Sequence, residues 1–210
     1  RVCLPLDGLK VACYYGCALL RPTEVCNFDD DEQPRTMEDL VALSGASPIE
    51  WNFKNECCGA SHQISVPKTG RTMIRRILEN AAANGADAIA CACPLCMLNL
   101  DMREAEINAA RAKEGLPPLD IPIYYFTELL AASMGAPASK SGISRHFHPA
   151  GNLHERALVA WNKQRAAEKE AEEAAKSVKE TQRKARAATR AAKAKSGTKP
   201  ETNATKEVIA

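Results

Sequence analysis

The 210-residue sequence contains no run approaching the roughly 18 to 20 consecutive apolar residues that a membrane-spanning helix requires. Aromatic residues make up only 5% of the chain, and none follows Trp161. The last segment therefore has no ring to stack on nucleic-acid bases, and it carries no motif of a known binding module, so a nucleic-acid partner is not expected. A serine-histidine-acid arrangement and a Gly-rich phosphate loop are both missing, which removes triad hydrolysis and phosphate-loop chemistry. Charge of one sign is also lacking overall, because the formal net charge is only +2.

That small net charge hides an asymmetry. Residues 1–160 carry 15 Lys and Arg against 19 Asp and Glu, whereas residues 161–200 carry 12 against 5. After Trp161 the only large apolar side chains are Val178, Val208 and Ile209, too few to offset the entropy of ordering a packed core. Ala, Glu, Lys and Arg are strong helix formers, and Glu168, Glu172 and Lys176 follow at i, i+4 spacing. A solvated helix over roughly 160–195 is expected, with disorder beyond Ser196 and a solubilising or tethering role for the basic tail. The expected organisation is a linker over 1–8, one domain over 9–150 and the tail over 151–210.

Cysteine is the residue the chain has in unusual supply. Nine occur in 210 residues, an odd number that includes a CC pair and a CxxC turn. That usage suits a reducing, cytoplasmic setting better than a secreted disulfide framework. Five of the nine fall in three distant groups, Cys17, then Cys57 and Cys58, then Cys93 and Cys96, spaced C-x39-CC-x34-C-x2-C. Thiolates are soft ligands for iron-sulfur clusters or zinc, and sulfurs arriving from separate loops can enclose what a single loop cannot.

The surrounding residues predict where these groups sit. Residues 9–15 form a short apolar run ended by Gly16 and read as a buried strand delivering Cys17 at its carboxyl end. Residues 48–53 read as a second strand leading to the CC pair. The small apolar run at 87–92 reads as a strand buried on both faces, delivering the CxxC, and 121–126 as a fourth. Between them, Thr36 with Asp39 resembles a capping box for a helix presenting Met37, Leu40 and Val41. Residues 70–84 align Met73, Ile74, Ile77, Leu78 and Ala81 on one helical stripe. Pro94 suits the first turn of a further helix, which places Cys93 and Cys96 near its amino terminus, where the helix dipole favours thiolate. Thr127 is expected to cap another. Strand and helix alternate, so the fold class expected is α/β, a βαβ domain with a parallel sheet whose thiols collect beyond the carboxyl ends of the strands.

A lone redox dithiol would use Cys93 and Cys96 but leave the CC pair unexplained. Successive residues of an extended chain point opposite ways, so Cys57 and Cys58 can face one centre only from an irregular loop, which Gly59 would relieve. Five thiols with a CC pair fit a tetrahedral zinc site poorly and an enlarged iron-sulfur centre better, with zinc as the alternative. Cys13 and Cys91 lie within strands and read as core residues. Cys3 falls in the opening linker, and Cys26 follows Cys17 as a secondary candidate for a substrate or cluster contact. His62 lies near enough to the CC pair to be considered as a proton or hydrogen-bond donor, although a structural role is the simpler reading. His146, His148 and His154 lack the spacing of a zincin and are assigned no role.

Gly16-Cys17, Glu56-Cys57-Cys58-Gly59-Ala60-Ser61 and Ala92-Cys93-Pro94-Leu95-Cys96, followed by Asn99-Leu100-Asp101, resemble the CCG domain found in the B-type component of heterodisulfide reductase. Arg21-Pro22, residues 123–128 and Arg145-His146 agree as well, so the resemblance spans roughly residues 5–148. It implies a noncubane 4Fe-4S cluster held by Cys17, Cys57, Cys58, Cys93 and Cys96, in an oxidoreductase that opens a small-molecule disulfide. In the family two tandem CCG domains face each other across the substrate. Electrons come from a separate iron-sulfur protein, the C-type component of the same complex, itself fed by a flavoprotein, the A-type component. The substrate in methanogens is the mixed disulfide of coenzymes M and B. This sequence has one CCG motif, similar to the second of the two, and its opening resembles the inter-domain linker. The expectation is half of a composite site, with the other half supplied elsewhere.

Overall fold

The computed structural model describes residues 2–148 and 153–195. Four strands, β1 (Lys10–Tyr14), β2 (Ser47–Ile49), β3 (Ala88–Cys91) and β4 (Ile123–Tyr125), form one sheet in the order 2-1-3-4 with every pairing parallel. The helices are α1 (Thr23–Cys26), α2 (Thr36–Ala42), α3 (His62–Ser65), α4 (Pro67–Ala83), α5 (Pro94–Lys113), α6 (Phe126–Ser133), α7 (Ala138–Ser141) and α8 (Leu153–Lys195), with a 3-10 turn at Ile143–Arg145. This is the α/β, all-parallel architecture that the alternating pattern predicts.

The period-2 alternation of a strand divides the core into two layers. Val11, Cys13 and Tyr15 point to one face, where Met37 and Val41 of α2 and Leu129 and Ala132 of α6 meet them. Ala12 and Tyr14 point to the other, against Ile74, Ile77, Leu78 and Ala81 of α4 and Met97, Leu100 and Ile107 of α5. Both faces are covered, which is why β3 reads Ala-Ile-Ala-Cys without a polar residue and is buried throughout. The stripe Ile74, Ile77, Leu78 is almost wholly sequestered, and each such side chain contributes roughly 1.5–3 kcal/mol of burial.

Several local expectations are corrected. The second strand is Ser47–Ile49 rather than 48–53, because the chain turns inward at Trp51, whose indole Nε1 donates to the Cys13 carbonyl at 2.9 Å. Thr36 is the first residue of α2 rather than its cap; the Asp29 carboxylate accepts the Arg35 and Thr36 N–H groups at 2.9 and 2.8 Å instead. Helix α4 begins earlier than residue 70, at Pro67. Helix α6 begins at Phe126, with the Glu128 carboxylate on the Tyr125 N–H at 2.9 Å, so Thr127 caps nothing. Residues 3–6 are tied to the domain: Cys3 and Leu4 donate to the Ser133 carbonyl, Leu6 donates to that of Ser44, and Leu6 is buried.

The compact unit that holds the sheet ends at Lys163, and a second begins at Gln164. Within the latter, residues 165–185 of α8 are exposed throughout, and Lys176–Glu172 and Lys184–Glu180 pair one turn apart at 2.7 and 2.8 Å. The disorder expected beyond Ser196 lies outside the described residues. Among the described residues no helix is long and apolar enough to cross a membrane.

Candidate metal centre

The strand order changes direction between β1 and β3: the chain leaves β1 toward β2 and returns to β3 on the other side. Loops leaving the two strands diverge there and open a crevice beyond their carboxyl ends. Cys17 stands three residues past the end of β1, and Cys93 two past the end of β3. Cys93 is the N-cap of α5, its carbonyl accepting the Met97 N–H at 2.9 Å, and Pro94 opens the helix where its missing N–H costs nothing. Cys96 falls in the first turn. Cys57 and Cys58 arrive on the irregular loop between β2 and α3.

The five thiols meet. Cys17 neighbours Cys57, and Cys96 neighbours both Cys58 and Cys93, each closely enough to bias the other's proton. A Cβ at Gly16 would lie 3.0 Å from the Cys96 Sγ, so the backbone next to Cys17 passes directly over a thiol from the third group. The Gly59 N–H donates to the Cys57 Sγ at 3.3 Å, and Gly59 has φ of 72°, a conformation that glycine adopts without strain. Among the described residues no group of three or more His, Cys, Asp or Glu side chains is arranged to hold a metal ion. The thiols thus form a string in two stretches, Cys17 with Cys57 and Cys58 with Cys96 and Cys93, joined through the adjacent backbone of the cysteine pair.

Proton distribution along the string is uneven. The Cys96 thiol donates to Cys58 and, with the Asn99 amide and the Ala60 N–H, holds the Cys58 thiol down at about 6 despite burial. Cys96 is pushed up by that same hydrogen bond and by its own burial. Burial, followed by the neighbouring Cys57 thiol, also raises Cys17. The neighbours of Cys58 therefore favour its thiolate, the ligating form.

Three supporting residues are given no role by the sequence. Tyr14, fully buried, donates its hydroxyl to the Glu56 carbonyl at 2.6 Å, and the charge of the nearby thiols, after burial itself, raises its phenol. Asn99, one turn after Cys96 on α5, donates Nδ2 to the Cys58 carbonyl at 2.8 Å. Lys54 accepts the Tyr15 and Gly16 N–H groups on its carbonyl at 2.8 and 3.1 Å. Only Asn99 carries a prior signal, its i+3 spacing from Cys96.

The remaining candidates lie elsewhere. Cys13 and Cys91 are fully buried in opposite core layers, and burial raises both thiols. Cys3 is exposed, and the Cys26 thiol donates to the Ala18 carbonyl at 3.7 Å. His62 opens α3 with its N–H on the Gly59 carbonyl at 2.9 Å. His146 Nε2 lies 3.1 Å from Glu128 Oε1, while His148 bridges Glu104 and Asp120 at 3.0 Å each, so both serve to fasten the end of the domain. The side chain of His154 lies outside the described residues.

The donor set, five thiols with no carboxylate or imidazole among them, suits a soft, multi-sulfur metal group. Gly16 lets the backbone come close to the thiols, whereas at Gly59 it is α4 that approaches, through Met73 and Gly70.

Comparison with known proteins places the cysteine-bearing segment in a family. Residues 11–101 match the CCG family, described as a cysteine-rich domain. The 8-methylmenaquinol:fumarate reductase membrane anchor subunit of Wolinella succinogenes is 29% identical over 154 residues, 73% of this chain and 52% of that protein. The B-type component of the ferredoxin:CoB-CoM heterodisulfide reductase of Methanosarcina mazei is 31% identical over 144 residues, 68% of this chain and 46% of that protein. Its counterpart in Methanosarcina acetivorans, from the ferredoxin/F(420)H(2)-dependent CoB-CoM heterodisulfide reductase, is 30% identical over 146 residues, with the same coverage of 68% and 46%. The chain spans about half the length of these relatives. With cysteines on the β1 and β3 tips and on the loop between them, and with this match, residues 11–101 belong to the CCG cysteine-rich domain family.

Proposed function

We propose that this chain is an iron-sulfur redox subunit, or the cysteine-rich half of one, in a disulfide-reducing oxidoreductase similar to heterodisulfide reductase. One observation supports the reading: cysteines from three separated segments gather at the switch point of the sheet, where the backbone beside Cys17 passes over the Cys96 Sγ. Cys17, Cys57, Cys58, Cys93 and Cys96 would hold a noncubane 4Fe-4S cluster. Such a group, when bound, supplies single electrons at a tuned potential, and opening a disulfide takes two.

The chain's own residues prepare the site. The Cys96 thiol, the Ala60 N–H and the Asn99 amide favour thiolate at Cys58, the form required of a ligand. Tyr14 keeps water from the inner side of the thiols and fixes the Glu56 carbonyl. Beside Cys17 an open groove of about 590 Å³ is lined by Ala18, Arg21, Pro22, Thr23 and Glu24, wide enough for a small-molecule disulfide to approach. The substrate class is a disulfide such as that of coenzymes M and B or a related thiol conjugate. The proposed partners are a second CCG domain, an iron-sulfur protein like the C-type component of heterodisulfide reductase and a flavoprotein like its A-type component, in the cytoplasm.

A second reading rests on the Wolinella relative, the membrane anchor subunit of an 8-methylmenaquinol:fumarate reductase. On this reading the cysteine-rich domain of the present chain would pass electrons, or bind zinc structurally, without meeting a disulfide. Anaerobic purification followed by iron, sulfide and zinc analysis tests the cluster: several irons per chain are expected, whereas one zinc and no iron overturns it. Adding a disulfide to the oxidised protein and following its paramagnetic signal separates catalyst from conduit, since an unchanged signal favours the conduit.

A further inference from the structure

A charged pair, Lys54 and Glu38, lies almost wholly out of solvent between the two thiol loops that come from different strands, with the exposed Glu50 at its rim. The Lys54 ammonium, on a residue 5% exposed, is 2.7 Å from Glu38 Oε1 and 3.2 Å from Glu50 Oε2. Glu38, 4% exposed, accepts the Tyr15 hydroxyl on its other oxygen at 2.5 Å, and the Tyr15 oxygen in turn accepts the Met37 N–H at 2.7 Å. The Lys54 main chain grips the same place, its carbonyl taking the Tyr15 and Gly16 N–H groups. Tyr15 and Gly16 immediately precede Cys17, and Lys54 precedes Cys57 by three residues.

Burying an ammonium and a carboxylate is costly, and apolar side chains of equal volume often stabilise a core as well or better. What the charged pair offers instead is direction, because a hydrogen bond between ions holds its partners at one distance and angle. Gripped at both side chain and carbonyl, the 54–58 loop cannot slide along the exit of β1.

We infer that Lys54, with Glu38 and Tyr15, is a positioning residue that sets the register between the Cys17 loop and the Cys57-Cys58 loop, so that thiols of different strands meet. The inference deepens the reading above, since these are the thiols assigned to the metal group, but it concerns the geometry of the chain with or without metal.

The test uses the whole 210-residue chain, metal-free and reduced, treated with dibromobimane, which bridges neighbouring thiols; bridged pairs are then identified by peptide mapping. In the double variant Lys54→Met/Glu38→Leu, which leaves neither buried partner charged, the Cys17–Cys57 bridge is expected to fall several-fold. The Cys93–Cys96 bridge, within the β3–α5 stretch that the clamp does not touch, stays at the parental yield. Tyr15→Phe removes only the hydroxyl and gives the same selective loss at smaller amplitude, and it carries the test should the double variant not fold. Lys54→Arg, which keeps charge and donors, recovers part of the Cys17–Cys57 yield. An unchanged Cys17–Cys57 yield in the folded variants overturns the assignment, as does an equal fall at both pairs, which is the mark of general loosening. A parent chain that takes up no iron would sink the cluster reading while leaving the bridging result intact.

Discussion

The Asn99 amide donates to the Cys58 carbonyl at 2.8 Å, joining the start of α5 to the cysteine-pair loop across 41 residues of sequence. Both groups are buried, so removing the donor strands a carbonyl away from water. Asn99→Ala is expected to cost about 1–3 kcal/mol in urea unfolding. It should also hasten the loss of bound iron to a chelator. Asn99→Asp, which replaces the donor with a carboxylate facing a carbonyl, should be worse than alanine.

The cysteines divide by location. Cys57→Ser or Cys58→Ser should bleach the visible iron-sulfur absorption of anaerobically purified protein. Cys91→Ser, which puts a hydroxyl into a fully buried strand, should retain the absorption and lose roughly 1–3 kcal/mol of stability. Equal loss of absorption for Cys91→Ser would show that the wrong ligands have been chosen.

Gly59 combines a positive φ with crowding: an added Cβ would sit 2.9 Å from the Met73 Sδ and 3.1 Å from the Gly70 Cα. Gly59→Ala therefore bears a backbone penalty of about 1–2 kcal/mol in addition to the clash. Pairing it with Met73→Ala clears the flexible sulfur but not the backbone contact, so thermal melting should show partial recovery only.

The histidines near the end of the domain give stability a pH dependence of definite sign. Burial alone would lower His146, but the hydrogen bond and charge of Glu128 outweigh it and leave the imidazole raised; His148 is raised chiefly by its hydrogen bond to Glu104. A raised folded value means that the native state holds the proton more tightly than the unfolded one. The stabilisation is therefore fully present below the ordinary imidazole value of 6.5 and is lost as pH rises through the raised values. Urea midpoints across roughly pH 5.5 to 9 should decline toward the alkaline side, and less steeply in His146→Gln. A midpoint that climbs over that span would contradict the assignment.

Much of this arrangement is legible in residue order because it depends on short-range rules. Apolar runs ending at Gly16 or at Pro94 announce strand exits, and parallel βαβ units bring such exits to one end of the sheet. Cys13 and Cys91 are readable as core because they fall inside those runs. Lys54, Glu38 and Tyr15 are not, since they lie 16 to 39 residues apart with no shared period, and only tertiary packing selects a salt bridge between them. The shortened β2 has the same origin: Trp51 suits a strand by propensity, yet its indole is drawn inward by the Cys13 carbonyl.

Both margins of the sheet are blunt. β2 and β4 are three residues long, and β2 has Pro48, which lacks an N–H, at its centre. A foreign strand laid alongside would find almost no free ladder to zip onto, so association through edge-to-edge β-addition is closed to this domain. Companion proteins are left to dock through side chains and loops.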